Sequence, residues 1–190
     1  SIGEGARVET LQQIEMLGTN NIIINRIESP KKTPGAKAAY SPGLILKDAN
    51  SIREINPFVV SITPSRYLTL RVAYRSYAEE MQIIGTTEEY PVTFNSRILE
   101  GSFFKDYDVE SAANVCVIGS GVREKIFKFE NPLKKKIKIG NSWFTVLGVT
   151  SPKNISSSGM KSFGLRDFNN DIYIPFSTMA NKLEEQQDNQ

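Results

Sequence analysis

The stretch KKIKIGNSWFTVLGVT, residues 135–150, decides the fold class that we predict. Residues 135–140 and 142–150 have the composition of β-strands, and the dipeptide Gly140-Asn141 between them is typical of a two-residue hairpin turn. Segments of similar texture lie on both sides of this hairpin. They are residues 58–63, 67–75, 80–86, 95–104, 114–120 and 171–176. The chain around the hairpin is therefore predicted to be rich in β-structure.

The clearest single strand in this set is residues 67–75. Its bulky apolar side chains alternate with polar or small ones, in the order Leu68, Leu70, Val72 and Tyr74. A period of two places such side chains on one face of an extended chain. The segment is therefore predicted to be a half-buried strand.

Helical spacing of apolar residues is found in four segments. They are residues 1–17, 46–57, 121–129 and 177–185. Gly18 can end the first of these helices in a left-handed cap, and Asn56-Pro57 ends the second, because the residue before proline disfavours the helical conformation. Ser177 or Thr178 is the predicted cap of the last helix.

Two long segments lack either periodicity, and they complete the predicted layout. Residues 28–43 are rich in proline and residues 151–170 are rich in serine, glycine and asparagine, so both are predicted to be mobile loops. A short β-branched strand is predicted at residues 21–25. The fold class predicted from these patterns is α+β, with a strand-helix-strand opening over the first 75 residues and a β-rich second part.

The overall composition limits the classes of function. The chain has 190 residues, of which 39% are hydrophobic, and a net charge of +2 from 23 basic and 21 acidic residues. Such a chain can form one ordinary domain or two small subdomains, and its charge is too balanced for a dedicated nucleic-acid binder. No apolar stretch approaches the ~20 residues that span a bilayer.

Residues that carry out chemistry are scarce in this sequence. Histidine is absent, which removes the commonest general base and the commonest metal ligand. The single cysteine, Cys116, lies in the apolar run NVCVIGS and is predicted to be a small buried core residue. We therefore predict no catalytic, cofactor-binding or metal-binding residue, and no cofactor.

A glycine-rich turn is the first of three motifs that we weighed against this prediction. Gly119-Ser120-Gly121 stands between a predicted strand and a predicted helix, as phosphate-binding loops do. A dinucleotide fingerprint would need a third glycine at Glu124, and the Gly-Lys-Ser/Thr ending of a P-loop is missing. A tight turn from a strand to a packing helix is the better interpretation.

Lysine and acidic clusters are the other two motifs. Lysines crowd the segment 131–140, namely Lys134, Lys135, Lys136 and Lys138. Without interleaved aromatic residues, they indicate a solvated or edge-protecting strand face and not a nucleic-acid patch.

The alternating acids Asp106, Asp108 and Glu110 lack the glycine and the closing glutamate of a calcium loop, so turn and helix-cap roles are predicted for them.

Four stretches of the sequence occur in a characteristic order. They are SIGEGARVETLQQIEMLGTNNIIIN (1–25), ILEGSFFKDYDVESAANVCVIGSGVREKIF (98–127), NPLKKKIKIGNSWFTVLGV (131–149) and DIYIPFST (171–178). As an ordered set they resemble the extracytoplasmic core domain of MacB-type ABC transporter permeases, which is related to FtsX and to the lipoprotein-releasing proteins LolC and LolE. The resemblance extends from residue 1 to about residue 180.

The resemblance implies a division into subdomains. Residues 1–76 would be the first part of a porter-like subdomain of strand-helix-strand units, whose first helix continues from a membrane helix. Residues 77–176 would be an inserted, β-rich Sabre-like subdomain, and residues 177–190 would begin the return to the porter-like subdomain. Lys134 stands where the family usually has glycine, so the local turn is expected to differ there.

The resemblance also implies a function. The chain would be the extracytoplasmic domain of a bacterial ABC-type permease subunit, itself no enzyme, in the cytoplasmic membrane with this domain facing the periplasm or the exterior. It would couple ATP hydrolysis, carried out by a fused or separate nucleotide-binding domain, through membrane helices to substrate export or to the regulation of a partner protein. Implied partners are a second permease protomer, a periplasmic adaptor and an outer-membrane channel. We expect the isolated domain to be mainly monomeric and to hydrolyse no ATP.

Three alternatives remain open at this point. The chain could be a free-standing soluble extracytoplasmic binding or adhesion module, with a signal peptide and no membrane helices on either side. It could be an FtsX-like regulator of a cell-wall hydrolase. The least favoured alternative is a hydrolase that uses carboxylates such as Asp106 or Asp108.

Overall fold

The fold is seen in a computed structural model that describes residues 21–24, 46–153 and 168–183. The helix predicted at residues 1–17, the loop predicted at 28–43 and most of the loop predicted at 151–170 lie outside the described residues. Strands and helices are both present in the described part, so the predicted α+β class is confirmed.

Seven strands form the main sheet. They are β1 (Arg66–Tyr74), β2 (Tyr77–Thr86), β3 (Ile98–Gly101), β4 (Val115–Ile118), β5 (Lys136–Ile139), β6 (Ser142–Thr150) and β7 (Asp171–Pro175). The helices are α1 (Leu46–Ile55), α2 (Tyr90–Thr93), α3 (Asp106–Glu110), α4 (Ser120–Ile126) and α5 (Phe176–Lys182), and a single 3₁₀ turn, Phe168–Asn170, precedes β7.

The sheet closes on itself. Its strands are ordered β3-β6-β4-β7-β2-β1-β5, and β5 also pairs with β6. Six strands therefore form a continuous ring, β1-β2-β7-β4-β6-β5, in which β2 with β7 and β4 with β6 are parallel pairs. The pairing Val72↔Ile139 and Ala73↔Lys138 between β1 and β5 completes the ring. Closure leaves fewer unpaired strand edges than an open sheet would expose.

The interior of the ring is an apolar core. All six strands of the ring contribute fully buried side chains to one cluster, among them Val72, Ile83, Ile139, Phe144, Cys116 and Ile172. Alternation explains this, because every second residue of each strand points inward. On α4, Val122 and Ile126 join the same cluster, and Met179 of α5 packs against Gly85 of β2.

A second core covers the opposite face of β2, β4 and β7. Its fully buried members are Ile84, Tyr90, Phe104, Val117 and Tyr173. The rings of Tyr90 and Tyr173 lie 4.8 Å apart between centroids, a separation typical of favourable aromatic pairs. The central strands are therefore buried on both faces.

The hairpin predicted at Gly140-Asn141 is present. Ile139 pairs with Ser142, and Gly140 adopts a φ of 57°, which glycine accommodates without the strain that a Cβ brings. Lys134 also lies in the left-handed region, with a φ of 62°. The turn at Lys134, which was expected to differ from that of the family, therefore has the backbone conformation that glycine favours.

Three local predictions are wrong. No strand forms at 58–63, nor in the described part of 21–25, because neither segment pairs with another strand there. Neither Ser177 nor Thr178 caps α5: the N-cap is Pro175, and the two hydroxyls instead donate hydrogen bonds to the carbonyl oxygens of Val109 and Ala113.

Candidate functional site

A chemical centre is not evident in the described part of the chain. No group of three or more histidine, cysteine, aspartate or glutamate residues in these ranges could hold a metal ion. The Cys116 thiol is fully buried, and burial raises its pKa above the ordinary range, because the charged thiolate is poorly solvated there. Cys116 is therefore the core residue that the sequence predicted.

The space in front of the Gly119-Ser120-Gly121 turn is filled by the chain itself. A Cβ placed on Gly119 would lie 2.2 Å from the carbonyl oxygen of Asn169, and the Gly119 N–H donates to the carbonyl oxygen of Asp171 at 2.9 Å. The Ser120 hydroxyl donates to Oδ1 of Asn169 at 3.4 Å. A phosphate has no room at this turn, which packs a strand and a helix against the 3₁₀ turn.

The three residues of the acidic cluster, Asp106, Asp108 and Glu110, do not share one environment. Oδ2 of Asp108 accepts a hydrogen bond from the Lys105 backbone N–H at 2.9 Å, as part of a capping box at the start of α3. Asp106 and Glu110 are exposed. The helix-cap role is therefore confirmed for Asp108, and the geometry brings no pair of these carboxylates together in a cleft.

The lysine segment forms a largely solvated face. Ile137 and Ile139 point into the ring, whereas Lys134, Lys135 and Lys136 are exposed. The edge-protecting alternative is wrong for Lys138, because β5 pairs there with Ala73 of β1 on one side and with Trp143 of β6 on the other.

A polar junction that no sequence pattern predicted connects the segment before β1, which we call the opening segment, to the closed sheet. We define it by Ser61, Thr63, Glu89 and Thr93. The Ser61 hydroxyl donates to Oε2 of Glu89 at 2.7 Å and lies 3.1 Å from the Thr93 hydroxyl. The hydroxyls of Thr63 and Thr93 lie 2.7 Å apart. These contacts are partly buried, and they fix the segment between α1 and β1 against α2.

Other hydrogen bonds extend the junction in both directions. On one side, Nδ2 of Asn21 donates to the Thr93 carbonyl oxygen at 2.6 Å, and the Arg53 guanidinium lies 3.5 Å from the Glu89 carboxylate. On the other side, the Thr86 hydroxyl donates to the Pro64 carbonyl oxygen at 3.2 Å. The junction therefore links three separate parts of the described chain.

A second set of contacts joins Lys153 to the 3₁₀ turn Phe168–Asn170. The Lys153 N–H donates to Oδ1 of Asn169 at 2.8 Å, and Nδ2 of Asn169 donates back to the Lys153 carbonyl oxygen at 3.0 Å. The Lys153 ammonium donates to the Phe94 carbonyl oxygen at 2.8 Å and lies 5.0 Å from the centroid of the Phe168 ring. Burial lowers the pKa of Lys153 to about 8, against the opposing effect of the Asp171 carboxylate.

This lowered pKa predicts a pH dependence of stability. Because the folded protein holds the Lys153 proton less tightly than the unfolded chain does, the unfolded chain binds more protons between pH 8 and 10, and stability rises with pH there. We expect a contribution of about 1 kcal/mol after allowance for partial exposure. Urea unfolding of the parent and of Lys153→Met at pH 7, 8, 9 and 10 measures this contribution. The free energy of unfolding of the parent should rise relative to that of the variant as the pH rises. A difference between the two that stays constant with pH would contradict the assignment.

Comparison with known proteins identifies the family. The family model for the MacB-like periplasmic core domain matches residues 1–190. The chain is 30% identical over 185 residues to the pyoverdine export ATP-binding/permease protein PvdT of Pseudomonas entomophila, covering 96% of this chain and 26% of that protein. It is 28% identical over 188 residues to the macrolide export ATP-binding/permease protein MacB of a Shewanella species, covering 96% and 27%. The chain thus spans about a quarter of the length of these curated relatives.

Solved structures show the same fold. The periplasmic region of MacB from Actinobacillus actinomycetemcomitans matches with a TM-score of 0.61 and 24% identity, over 73% of this chain and 57% of that one. The extracellular domain of the ABC-type transporter YknZ from Gram-positive bacteria matches with a TM-score of 0.59 and 19% identity, over 72% and 64%. Among the described residues, no helix has the length and apolar character needed to cross a bilayer. Because the family model matches the whole length of this chain, the chain belongs to the MacB-like periplasmic core domain family.

Proposed function

We propose that this domain is a non-catalytic, extracytoplasmic transmission element of an ABC-type export permease. The observation that carries the proposal is the polar junction, which ties the opening segment to α2 and so to the closed sheet. The curated relatives PvdT and MacB are named as ATP-binding/permease proteins for export, which supplies the context for such a role. Movement of the opening segment would then be passed to the sheet.

The energetics of the junction suit this role. A net contribution of about 1 kcal/mol is typical of one intramolecular hydrogen bond, and the junction has several, with Thr93 as a shared partner of Ser61 and Thr63. A connection that distributes force over several bonds resists local bending more than one bond would. The ring is closed and its interior is apolar, so it would move as a rigid body.

The exposed apolar residues beside the junction bear on the domain division. Phe58 and Val60 are 90% and 97% exposed, and Ile22 is 90% exposed. We propose that they belong to the porter-like subdomain. Because β1 pairs with β2 along its whole length, we place the start of the Sabre-like subdomain between α1 and β1 and not after residue 76.

The remaining partners belong to the same proposal. ATP would be bound and hydrolysed by the nucleotide-binding part of the transporter, and membrane helices would connect that part to this domain. A second permease protomer, a periplasmic adaptor and an outer-membrane channel would complete an export assembly, with the protein in the inner membrane and this domain in the periplasm. The cargo of such permeases, whether antibiotic, peptide, toxin or lipoprotein, has no part in the proposed transmission.

The test uses the complete reconstituted transporter that contains this domain. A nitroxide label is attached to Glu124→Cys, an exposed position of α4, and it reports the distance between the two protomers. Within the domain the label attaches only there, because the other cysteine, Cys116, is buried. We expect ATP to change this distance. In the double variant Ser61→Ala, Thr93→Ala the change should shrink at least about twofold while ATP hydrolysis continues, because the junction loses its shared hydrogen bonds.

Ser111→Ala is the matched control for this experiment. Its hydroxyl donates to the Tyr107 carbonyl oxygen at 2.6 Å on an exposed helix end outside the junction, so its removal should leave the ATP-dependent change intact. A label distance that never responds to ATP would overturn the transmission role. A junction variant that responds like the parent would leave transmission standing and remove the junction from it.

A further inference from the structure

The outer face of the β5–β6 hairpin combines lysines with the exposed tryptophan. Lys138 is the direct cross-strand partner of Trp143, and Lys136 is the partner of Thr145. Cross-strand partners project from the same face of a sheet, and the intervening Ile137 points into the core. We call Lys136, Lys138 and Trp143 the basic-aromatic face.

The charges on this face are not compensated. Within the part of the chain that the structure describes, Lys134, Lys136 and Lys138 form no ion pair. The nearby Lys135 differs, because its ammonium lies 3.0 Å from the Glu130 carboxylate. Across the other edge of β5, the residue opposite Lys138 is Ala73, which carries no charge.

Folding does not account for Lys138 or for Trp143. Lysine on a strand commonly protects an unpaired edge, but at Lys138 β5 pairs with β1 on one side and with β6 on the other. Trp143 is 56% exposed although its neighbour Phe144 is fully buried, so its indole adds little to the core. Exposed tryptophan is enriched at the centres of protein interfaces, and uncompensated charge steers a partner of the opposite sign.

We propose that the basic-aromatic face is a docking surface for an acidic protein partner. The partner places carboxylates against Lys136 and Lys138 and an apolar side chain against the Trp143 indole. A protein fits better than a nucleic acid, since single strands bind along series of stacking rings and the face offers one ring. The surface lies on the ring itself, so the inference is independent of the transmission role.

The test uses the fluorescence of Trp143, which is the single tryptophan of the chain. The 190-residue chain is titrated with a synthetic peptide of alternating glutamate and leucine, and in parallel with polyglutamate of the same charge. Burial of the indole should shift its emission to the blue with the first probe. We expect the mixed peptide to bind about tenfold more tightly than polyglutamate, because it satisfies both parts of the face, and added salt should weaken both.

Variants locate the binding. Lys136→Glu with Lys138→Glu should weaken binding of the mixed peptide by about tenfold or more and abolish the emission shift. The matched comparison is between two single substitutions with the same change of charge. Lys138→Glu should weaken binding, whereas Arg97→Glu, at an exposed residue before β3, which pairs with the far end of β6, should leave binding unchanged. Equal losses in both variants would reduce the effect to net charge and overturn the proposal.

Two further probes separate a protein partner from other polyanions. Single-stranded DNA and phosphatidylglycerol vesicles are titrated under the same conditions, with Trp143 emission as the common readout. The proposal expects smaller shifts from both than from the mixed peptide. A larger shift from either probe, lost in Lys136→Glu with Lys138→Glu, would assign the face to nucleic acid or to a membrane surface and would overturn the acidic protein partner.

Discussion

Replacing Gly119 with alanine is expected to destabilise the fold by about 3 kcal/mol or more. The φ of Gly119 is −68°, which any residue adopts, so the cost is one of space and not of backbone strain. An added Cβ would lie 2.2 Å from the carbonyl oxygen of Asn169 and 3.1 Å from that of Asp171. Both neighbours are backbone atoms, and the hydrogen bond from Gly119 to Asp171 prevents the two segments from separating cheaply.

Gly121→Ala is the matched control for this prediction. Its added Cβ would lie 2.9 Å from the side-chain Oδ1 of Asn170 and 3.0 Å from the Asn169 carbonyl oxygen, a milder crowding with one movable partner. Alanine inside a helix also regains up to about 1 kcal/mol relative to glycine. Urea unfolding followed by circular dichroism should therefore give a much lower free energy of unfolding for Gly119→Ala than for Gly121→Ala. The reverse order would mean that the 3₁₀ turn does not pack on this glycine.

Individual strands were predictable because their signals are local. Alternation in residues 67–75 and the Gly140-Asn141 turn each report the conformation of adjacent residues, and both features are present as β1 and the β5–β6 hairpin. Which strands pair is a different question. The contacts between β1 and β5 that close the ring comprise Val72↔Ile139 and Ala73↔Lys138, and no periodic pattern in either strand identifies the other. A ring was therefore not predicted.

The segment 58–63 shows why composition can mislead. Its apolar and β-branched residues are typical of strands, yet a strand also needs a partner for its backbone groups. In the described chain the backbone of this segment pairs with no strand. The segment is held by side-chain hydroxyls, because Ser61 and Thr63 both contact Thr93. Threonine suits both a strand and such a side-chain contact, so its presence alone did not distinguish the two.

The functional features depend on sequence signals of different range. The packed turn at Gly119-Ser120-Gly121 was predictable, because the incompleteness of the glycine motif can be read from adjacent residues. The junction depends on residues from three distant segments, among them Asn21, Ser61 and Thr93, so no spacing could reveal it. The lysines of β5 were visible in the sequence, but the position of Lys138 between two paired strands and opposite the exposed Trp143 was not.

Replacing Phe144 with alanine is expected to cost about 3–5 kcal/mol of folding free energy. The ring of Phe144 is fully buried inside the closed sheet, opposite Ile137, and the strands around it are hydrogen-bonded in a circle that cannot collapse into the space left behind. The lost transfer free energy of the ring and the cavity that it leaves therefore both contribute to the loss of stability. Urea unfolding followed by circular dichroism measures the change.

Trp143→Ala is the neighbouring control on the same strand. Trp143 is also a large aromatic residue, but its side chain points outward and is 56% exposed, so its loss should change stability by less than about 1 kcal/mol. The pair separates two roles of adjacent aromatic residues: Phe144 fills the ring, and Trp143 is available to a partner. Equal costs for the two substitutions would mean that Trp143 is part of the core, and they would remove the basis of the basic-aromatic face as a docking surface.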